Sequence, residues 1–303
     1  MTKKIKMDKI FINGFPNFSQ NDDVLSIETF NFLGGEVHVK LHDKRVEPFT
    51  HVFTRVITIY ARANNSDDIM RILLTNDALK RMGYEKIDLF IPYMPYARQD
   101  RVMVDGEPFS LKVFANMINS CGFNRVFVFD AHSDMVGGLI DNIHLITNSK
   151  FVELCIKEIC LETGSVPVWA CPDSGAYKKV FKLADAVGYK GEIILCNKAR
   201  DLSTGKIASF TVDKNDLGGN NIIVNDDICS KGGTFMGLAK ELKKRNAGKI
   251  YLIVSHYEGS ADVRTLNDSG IERVYTTPSI GKVNSPPFVT EIPFTQFINF
   301  YNL

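Results

Sequence analysis

The chain carries two acids and a glycine-containing turn directly after an apolar segment. The tract IIVNDDICSKGGTF, residues 222–235, reads as a buried strand that leads into Asp226 and Asp227, then a loop and a helix. Paired carboxylates can accept hydrogen bonds from sugar hydroxyls. Glycines let backbone N–H groups turn toward an anion at a helix N-terminus. Gly232, Gly233 and Thr234 with the two acids therefore predict a sugar-phosphate site. An ordinary strand-turn-helix with a capping threonine is the alternative.

A second polar group closes the predicted strand 87–93. The tract PYMPYARQDR ends with the charged and polar residues Arg98, Gln99, Asp100 and Arg101. An arginine supplies a planar fork of donors for phosphate oxygens and can also stack on a base. The group therefore indicates a nucleotide or phosphate site, and a solvated charged turn is the alternative.

Two further strand ends carry residues that could serve a metal ion. Asp130 and His132 end the predicted strand 126–130, and Asp173 follows the apolar run 166–171. A carboxylate and an imidazole two residues apart can serve Mg²⁺ directly or through its waters. A structural histidine at a strand end is the alternative.

The fourth group is cationic. Lys198 and Arg200 follow the predicted strand 192–196 and lead into the polar segment 201–206. Such a segment could form a mobile flap, and its two cations could then cover a developing phosphoryl charge. The basic tip of a hairpin is the alternative.

These groups lie on a regular alternation of strands and helices. Residues 56–60, 87–93 and 126–130 read as apolar strands. A helix is expected from an N-capping Ser66 to Gly83, and another from Ser110 to Gly122. Fully apolar strands that alternate with helices predict an α/β fold with a mainly parallel sheet flanked by helices. Ligands bind beyond the carboxyl ends of such strands, where all four groups lie.

The second half of the chain repeats the first. Residues 34–40 resemble 190–196, residues 85–96 resemble 248–259, and residues 123–133 resemble 271–281. Order is kept, and the spacings differ by loop-sized insertions, so two homologous α/β domains are expected. The predicted boundaries are 1–148 and 149–303, with the last 15 or so residues packing on the first domain.

Composition excludes several classes of protein. The 36 Lys and Arg balance 35 Asp and Glu to a net charge of +1, which argues against a nucleic-acid-coating protein. No apolar run approaches the ~18 residues of a membrane helix, and the charged N-terminus does not resemble a signal peptide. The six cysteines contain no Cys-x-x-Cys pair. We therefore expect a cytoplasmic protein without a nucleic-acid or membrane partner.

The four groups, in this order, resemble the ribose-phosphate pyrophosphokinase family. The resemblance runs from about Phe11 to Lys282, and IPYMPYARQDR with its continuation PFSLKVFANMINSCGFNRVFVFDAHSD is its most specific part. It implies two phosphoribosyltransferase-like domains, an ATP side in the first and a ribose 5-phosphate side in the second. It also implies transfer of the β,γ-pyrophosphoryl group of Mg²⁺-bound ATP to the C1 hydroxyl of ribose 5-phosphate, in a homo-oligomer whose ATP site lies near a subunit interface.

The resemblance also implies roles for individual residues. Lys198 and Arg200 match the catalytic flap, and Arg200 also matches the ribose 5-phosphate site. His132, Asp173 and the nearby Asp130 match the metal site. The implied ribose 5-phosphate loop comprises Asp226, Asp227, Ser230, Lys231, Gly232, Gly233 and Thr234. The implied ATP contacts are Phe32, Gly34, Gly35, Glu36, Arg98, Gln99, Asp100 and His132.

This chain departs from the family pattern at several of these positions. The family's usual Asp-Thr-Ala-Gly-Thr reads Ser-Lys-Gly-Gly-Thr at residues 230–234. The middle arginine of the flap is Ala199, and the acid before Gly-Glu is Gly34. Two other functions remain open: a non-catalytic regulatory paralogue, and a phosphoribosyltransferase that consumes the same sugar phosphate.

Overall fold

The chain folds into two compact units, residues 1–146 and 147–303, and the sequence analysis put the boundary at 148. The coordinates are a computed structural model. The structure describes residues 8–16, 25–43, 56–200, 207–259, 263–281 and 287–299, and side chains for all of these except 199, 200, 207 and 208.

The first unit contains a five-stranded parallel sheet of order β1-β4-β5-β6-β7 and a separate antiparallel hairpin, β2–β3. Its strands are β1 (Asp8–Ile12), β2 (Ser26–Asn31), β3 (Val37–His42), β4 (Val56–Ala61), β5 (Lys86–Ile91), β6 (Arg125–Phe129) and β7 (Ile143–Ile146). Its helices are α1 (Ser66–Arg81), α2 (Ser110–Ser120) and α3 (Met135–Leu139).

The second unit contains a seven-stranded sheet of order β10-β9-β8-β11-β12-β13-β14, in which, among the described residues, only the pair β9–β10 is antiparallel. Its strands are β8 (Val168–Cys171), β9 (Ile193–Arg200), β10 (Ile207–Val212), β11 (Ile222–Cys229), β12 (Ile250–Tyr257), β13 (Ile271–Thr276) and β14 (Val289–Glu291). Its helices are α4 (Ser149–Thr163), α5 (Tyr177–Ala186), α6 (Gly233–Lys244) and α7 (Val263–Asp268), with 3₁₀ turns at Ser174–Ala176 and Phe294–Gln296.

The two units share one topology, which confirms the predicted fold class. The order β1-β4-β5-β6-β7 is repeated as β8-β11-β12-β13-β14, and in each unit a hairpin follows the first strand. Two of the three sequence matches join equivalent strands, β5 with β12 and β6 with β13. The match of 34–40 with 190–196 joins strands that are not equivalent. Strand β3 is the second strand of its hairpin, whereas β9 is the first strand of the other hairpin. Short alternating strands look alike, so this match was the least specific.

The C-terminal segment contributes to the second unit over residues 287–299. Packing of the last residues on the first domain stays a prediction. Strand β14 pairs in parallel with β13, and the Phe297 ring lies 5.7 Å from that of Phe151 in α4. Backbone groups at the edge of β13 are satisfied by this pairing, which gives the segment a place in the second sheet.

Apolar periodicity decides which helix faces are buried. In the first unit, Ile69, Ile72 and Leu79 of α1 pack into one core with alternating residues of β1, β4 and β5. The predicted caps are one residue out: Asn65, not Ser66, accepts the N–H of Asp68, and Phe109, not Ser110, is the N-cap of α2. Helix termination by Gly83 and Gly122 is confirmed by their φ angles of 83° and 59°, which suit a residue without Cβ.

A buried ion pair holds the start of β5 to β6. The Asp88 carboxylate is 0% exposed, accepts from the Arg125 guanidinium at 2.5 and 3.1 Å, and accepts from Asn124 Nδ2 at 2.7 Å. These bonds compensate for burying the charge. Removing the charge leaves the guanidinium without its counterion.

We therefore expect Asp88→Asn to lower the free energy of unfolding by about 2–4 kcal/mol, as measured in urea. The matched control is Asp77→Asn, whose carboxylate pairs with Arg81 on the exposed face of α1. That change should have a much smaller effect, because water screens the attraction within an exposed pair. Equal effects of the two substitutions would contradict the assignment of Asp88 to a stabilising buried pair.

Candidate active site

Three neighbouring strands of the second unit bring the predicted polar residues to one edge of the sheet. Asp173 follows β8, Lys198 lies in β9, and Asp226 and Asp227 lie near the end of β11. Because the order is β9-β8-β11, Asp173 stands between the other two groups. The Lys198 ammonium contacts Asp173 Oδ2, and each side chain is 23% exposed. A partly buried ion pair therefore occupies the centre of the candidate site.

The second oxygen of Asp173 is also used. Its Oδ1 accepts the Ala176 N–H at 3.1 Å and so caps the 3₁₀ turn that precedes α5. This bond orients the carboxylate, so that Oδ2 meets Lys198.

A tyrosine that the sequence analysis missed lies beside this pair. The Tyr177 hydroxyl lies within hydrogen-bond distance of Asn197 Oδ1, at 3.0 Å, and of the Cys196 carbonyl, at 3.3 Å. Burial raises the pKa of Tyr177, which keeps the hydroxyl a donor. The residue ties the start of α5 to β9, next to Lys198. The signal available in the sequence was its position soon after Pro-Asp-Ser-Gly. A tyrosine in a predicted helix, however, is usually interpreted as a packing residue.

The two acids of β11 differ in environment. Partial burial, together with the negative charges of Asp227 and Asp173, raises the pKa of Asp226 to about 7. Its Oδ1 accepts the Asp227 N–H at 2.9 Å. Asp227 Oδ2 lies 3.8 Å from the ammonium of Lys179, another residue that the sequence analysis did not select. Near neutral pH, Asp226 can therefore either accept or supply a proton.

The N-terminus of α6 is open to an anion. Gly232, with φ of 73°, is its N-cap, no side chain bonds to its first N–H groups among the described residues, and its first turn contains no acid. A Cβ at Gly233 would meet nothing within 4 Å. The alternative of a capping threonine is wrong, since Thr234 lies inside the helix. Ser230 is half-buried and Lys231 is exposed in the preceding loop.

In the first unit, the predicted nucleotide residues occupy the loop after β5. Arg98 and Gln99 are exposed. The Gln99 N–H donates to the Tyr96 carbonyl at 2.8 Å, and its carbonyl accepts from the Leu111 N–H at 3.2 Å. Tyr96 has a φ of 61°, a left-handed conformation that turns the chain here. The loop thus presents two polar side chains from a backbone held on both sides.

Asp100 is occupied by internal contacts. It accepts from the Arg101 guanidinium at 2.8 and 3.1 Å, and from Ser133 Oγ at 2.7 Å. The Arg101 guanidinium and the Ser133 hydroxyl hold the pKa of Asp100 well below its usual range. This carboxylate therefore joins the loop after β5 to the loop after β6. Sequence reasoning did not select Ser133, whose role depends on the spatial approach of the two loops.

The predicted metal residues are divided between the two units. Asp130 and His132 are half-buried in the loop after β6, and Asp173 lies in the second unit. Within the described ranges, no three His, Cys, Asp or Glu side chains are grouped closely enough to hold a metal ion.

The hairpin turn presents the other predicted nucleotide contacts. Phe32, Gly34, Gly35 and Glu36 form the turn between β2 and β3, closed by Phe32 N–H to Glu36 carbonyl and Gly35 N–H to Phe32 carbonyl bonds of 2.8 Å. Gly35 has a φ of 97°, which favours glycine. Phe32 is 53% exposed beside Phe30 and His38. The turn therefore offers an aromatic face to solvent.

Part of the predicted flap is outside the description. Arg200 ends β9, with its backbone paired to Ile207, but its side chain and residues 201–206 lie outside the described part of the chain. Within the part that the structure describes, no helix is both long enough and apolar enough to cross a membrane.

The raised pKa of Asp226 predicts a pH-dependent stability. The folded state holds this proton more tightly than the unfolded state, so the stabilisation is complete below about pH 4 and is lost as pH rises through about 7. Asp226→Asn should therefore stabilise the protein more at pH 8 than at pH 5, by at most about 3 kcal/mol. Urea unfolding at both pH values measures this difference. The control Asp77→Asn removes an exposed carboxylate that pairs with Arg81 outside the candidate site, and a matching response of the two variants would contradict the assignment.

Comparison with known proteins gives the family. Residues 21–122 match the model of the N-terminal domain of ribose phosphate pyrophosphokinase. The ribose-phosphate pyrophosphokinase of Aeropyrum pernix is 32% identical over 236 residues, which cover 77% of this chain and 74% of that protein. The one from Aquifex aeolicus is 30% identical over 253 residues, which cover 82% and 77%.

A solved structure agrees in fold. The phosphoribosylpyrophosphate synthetase of Mycobacterium smegmatis superposes with a TM-score of 0.73 at 24% identity, and the match covers 89% of this chain and 87% of that one. At this identity the likeness concerns the fold. Sequence identity of at least 30% to relatives, over about three quarters of both chains, carries the further conclusion: this chain belongs to the ribose-phosphate pyrophosphokinase family.

Proposed function

We propose that the protein is a ribose-phosphate diphosphokinase. It transfers the pyrophosphoryl group of ATP to the C1 hydroxyl of D-ribose 5-phosphate, giving 5-phospho-α-D-ribose 1-diphosphate and AMP for nucleotide biosynthesis. The observation that carries the proposal is the grouping of Lys198, Asp173 and Asp226 at one sheet edge. The open N-terminus of α6 follows the same strand as Asp226.

Ribose 5-phosphate binds at the end of β11. Backbone N–H groups of residues 231–234 and the positive end of α6 hold the 5-phosphate, because they have no internal acceptor there among the described residues. Ser230, Lys231 and Thr234 surround that phosphate, while Asp226 and Asp227 accept hydrogen bonds from the ribose hydroxyls. The equivalent helix of the first unit is α1. Its N-terminus is capped by Asn65, and Asp67 and Asp68 lie in its first turn, so it is not open to a phosphate in the same way.

ATP binds at the loop after β5. The exposed side chains of Arg98 and Gln99 contact the nucleotide, and Asp100 positions this loop through Ser133. The exposed Phe32 turn, with Gly34, Gly35 and Glu36, supplies an aromatic face for the base. We assign that contact to a neighbouring copy in a homo-oligomer, as the family resemblance implies.

The reaction is an in-line displacement at the β-phosphorus. The C1 oxygen forms a bond to this phosphorus, the bond from the β-phosphorus to the oxygen of the α-phosphate breaks, and AMP leaves with that oxygen. The hydroxyl proton passes to solvent or to a nearby base. Lys198 and Arg200 neutralise charge on the transferred group, and positioning supplies most of the remaining acceleration.

The donors present fit Mg²⁺, which binds carboxylate oxygens and usually keeps several waters and substrate phosphates. Asp173, His132 and Asp130 would hold the ion, directly or through its waters, as the family resemblance implies. When bound, Mg²⁺ neutralises phosphate charge.

The other candidate functions make different predictions. A non-catalytic paralogue would be expected to lose Lys198, Arg200 or His132, and the chain retains all three. A phosphoribosyltransferase would have no use for the Arg98–Gln99 loop. The six free cysteines, five of them buried, support a reducing compartment and hence a cytoplasmic location.

The direct test is purified protein with ATP, Mg²⁺ and ribose 5-phosphate, with AMP and the diphosphate product measured together. Equimolar formation of both is expected. AMP formation that does not require ribose 5-phosphate would contradict the proposal, as would product consumption in the presence of a free base without AMP formation.

Lys198→Ala should lower kcat by about 10²–10³, with the Michaelis constants of both substrates within a few-fold, because a flap cation acts mainly on transition-state charge. The matched control is Lys214→Ala, which removes a lysine from the exposed pair with Glu192. It should leave kcat within twofold. Near-normal turnover in Lys198→Ala would remove Lys198 from the catalytic assignment.

Lys231→Thr should keep activity and raise the Michaelis constant for ribose 5-phosphate by less than about tenfold, or 1.4 kcal/mol. Lys231 is exposed, so its attraction to the phosphate is screened by solvent, and backbone N–H groups carry most of the binding. Steady-state kinetics at two salt concentrations check this expectation. Abolished turnover would show that Lys231 acts on the reaction itself.

A further inference from the structure

We infer that Asp173 alternates between two partners, Lys198 and a divalent cation, so that Lys198 becomes free for the transferring phosphoryl group only when the cation occupies Asp173. The inference rests on the proposed function for the roles of these two residues. It adds the order in which the cation binds Asp173 and Lys198 is released, which the roles of the two residues do not specify. The carrying observation is that Lys198, assigned to the transferring group, and Asp173, assigned to the metal, are paired with each other.

The bonding of Asp173 makes the two partners competitors. Its Oδ1 accepts the Ala176 N–H, and its Oδ2 contacts the Lys198 ammonium. A cation bound at Oδ2 would share that oxygen with the ammonium and repel it at short range. Because both side chains are 23% exposed, water screens this repulsion less than at a fully exposed pair. Simultaneous occupation is therefore unfavourable.

The same contact restrains Lys198. A cation that stabilises transition-state charge must bring its ammonium to the phosphoryl oxygens, whereas here the ammonium is neutralised by Asp173. Occupation of Asp173 by another cation removes this counterion. The flap lysine is then available at the moment when the metal is in place.

The exchange requires movement of a side chain rather than of a strand. Asn197, next to Lys198, is bound by the Tyr177 hydroxyl at 3.0 Å, and Lys198 itself is paired through its backbone with Phe210 of β10. These contacts hold β9 in place. The four-carbon stem of lysine is flexible enough to swing the ammonium from one anion to another.

The surrounding negative charges favour replacement of Lys198 by a cation at Asp173 over departure of Lys198 alone. Asp226 and Asp227 lie at the end of the adjacent β11, and Asp227 is 3.8 Å from Lys179. Departure of Lys198 would leave Asp173 uncompensated beside these acids, which is costly in a partly buried site. A cation arriving at Asp173 restores the balance, so the two events are linked.

Linkage is reciprocal, so Lys198 and the cation each weaken the binding of the other to Asp173 by the same factor. If Lys198 competes for Asp173, its removal strengthens cation binding by about five- to tenfold, the lower part of the usual range for coupled sites. The same linkage predicts that the cation increases the exposure and reactivity of the Lys198 amine.

The first measurement is the affinity for Mn²⁺ alone, without nucleotide or sugar phosphate, by calorimetry and by the paramagnetic resonance of free Mn²⁺. Lys198→Ala should bind Mn²⁺ about five- to tenfold more tightly than the unaltered protein, and Asp173→Asn should lose the site. The matched control Lys179→Ala removes an equal charge beside Asp227 without touching Asp173, and should change the affinity less than twofold.

The second measurement is labelling of lysines with acetic anhydride, read by peptide mass spectrometry. Mn²⁺ should increase labelling of Lys198 in the unaltered protein and leave it unchanged in Asp173→Asn, while labelling of Lys214 serves as the internal reference. Unchanged labelling of Lys198, or equal tightening in Lys198→Ala and Lys179→Ala, would overturn the exchange. Neither experiment uses substrates, so loss of the exchange with normal AMP formation would leave the proposed activity standing. Exchange without AMP formation would refute the activity instead.

Discussion

Parallel pairing of β9, β8 and β11 is the constraint on which the candidate site depends. The strands come from segments near residues 195, 170 and 225, and each carries polar residues near or just beyond its carboxyl end. Parallel alignment puts all three carboxyl ends at one edge, where Asp173 stands between Lys198 and Asp226. The backbone pairing of the strands therefore brings charged side chains from three separate strand ends close enough to interact electrostatically.

The repeated topology gives both units a helix N-terminus after an equivalent strand, but the two helices begin with different residues. Both units place a helix after an equivalent strand, α1 after β4 and α6 after β11. The N-terminus of α1 is satisfied by Asn65 and faced by Asp67 and Asp68, whereas α6 begins at glycines with no acid in its first turn. A few residues at the helix start therefore decide whether a helix N-terminus is capped internally or left open, while the fold remains the same.

Buried charge has different consequences in the two units. Asp88 is fully compensated by Arg125 and Asn124, so its burial serves the packing of β5 against β6. Asp226 has no comparable donor set, and burial, together with the negative charge of neighbouring acids, raises its pKa toward neutrality. Groups that stay incompletely compensated are the ones a ligand can stabilise, which is why the second case belongs to the candidate site.

The sequence by itself determined the α/β class, most strand and helix positions, the duplication and the strand-end residues, because apolar periodicity and glycine stops are local properties. It did not determine the pairing of Lys198 with Asp173, the tether through Tyr177, or the use of Asp100 by Ser133. Those contacts join residues 20 to 33 positions apart, and only the order of the strands brings them within bonding distance. The placement of the last segment was also decided by tertiary structure, because the edge of β13 offered backbone partners to β14.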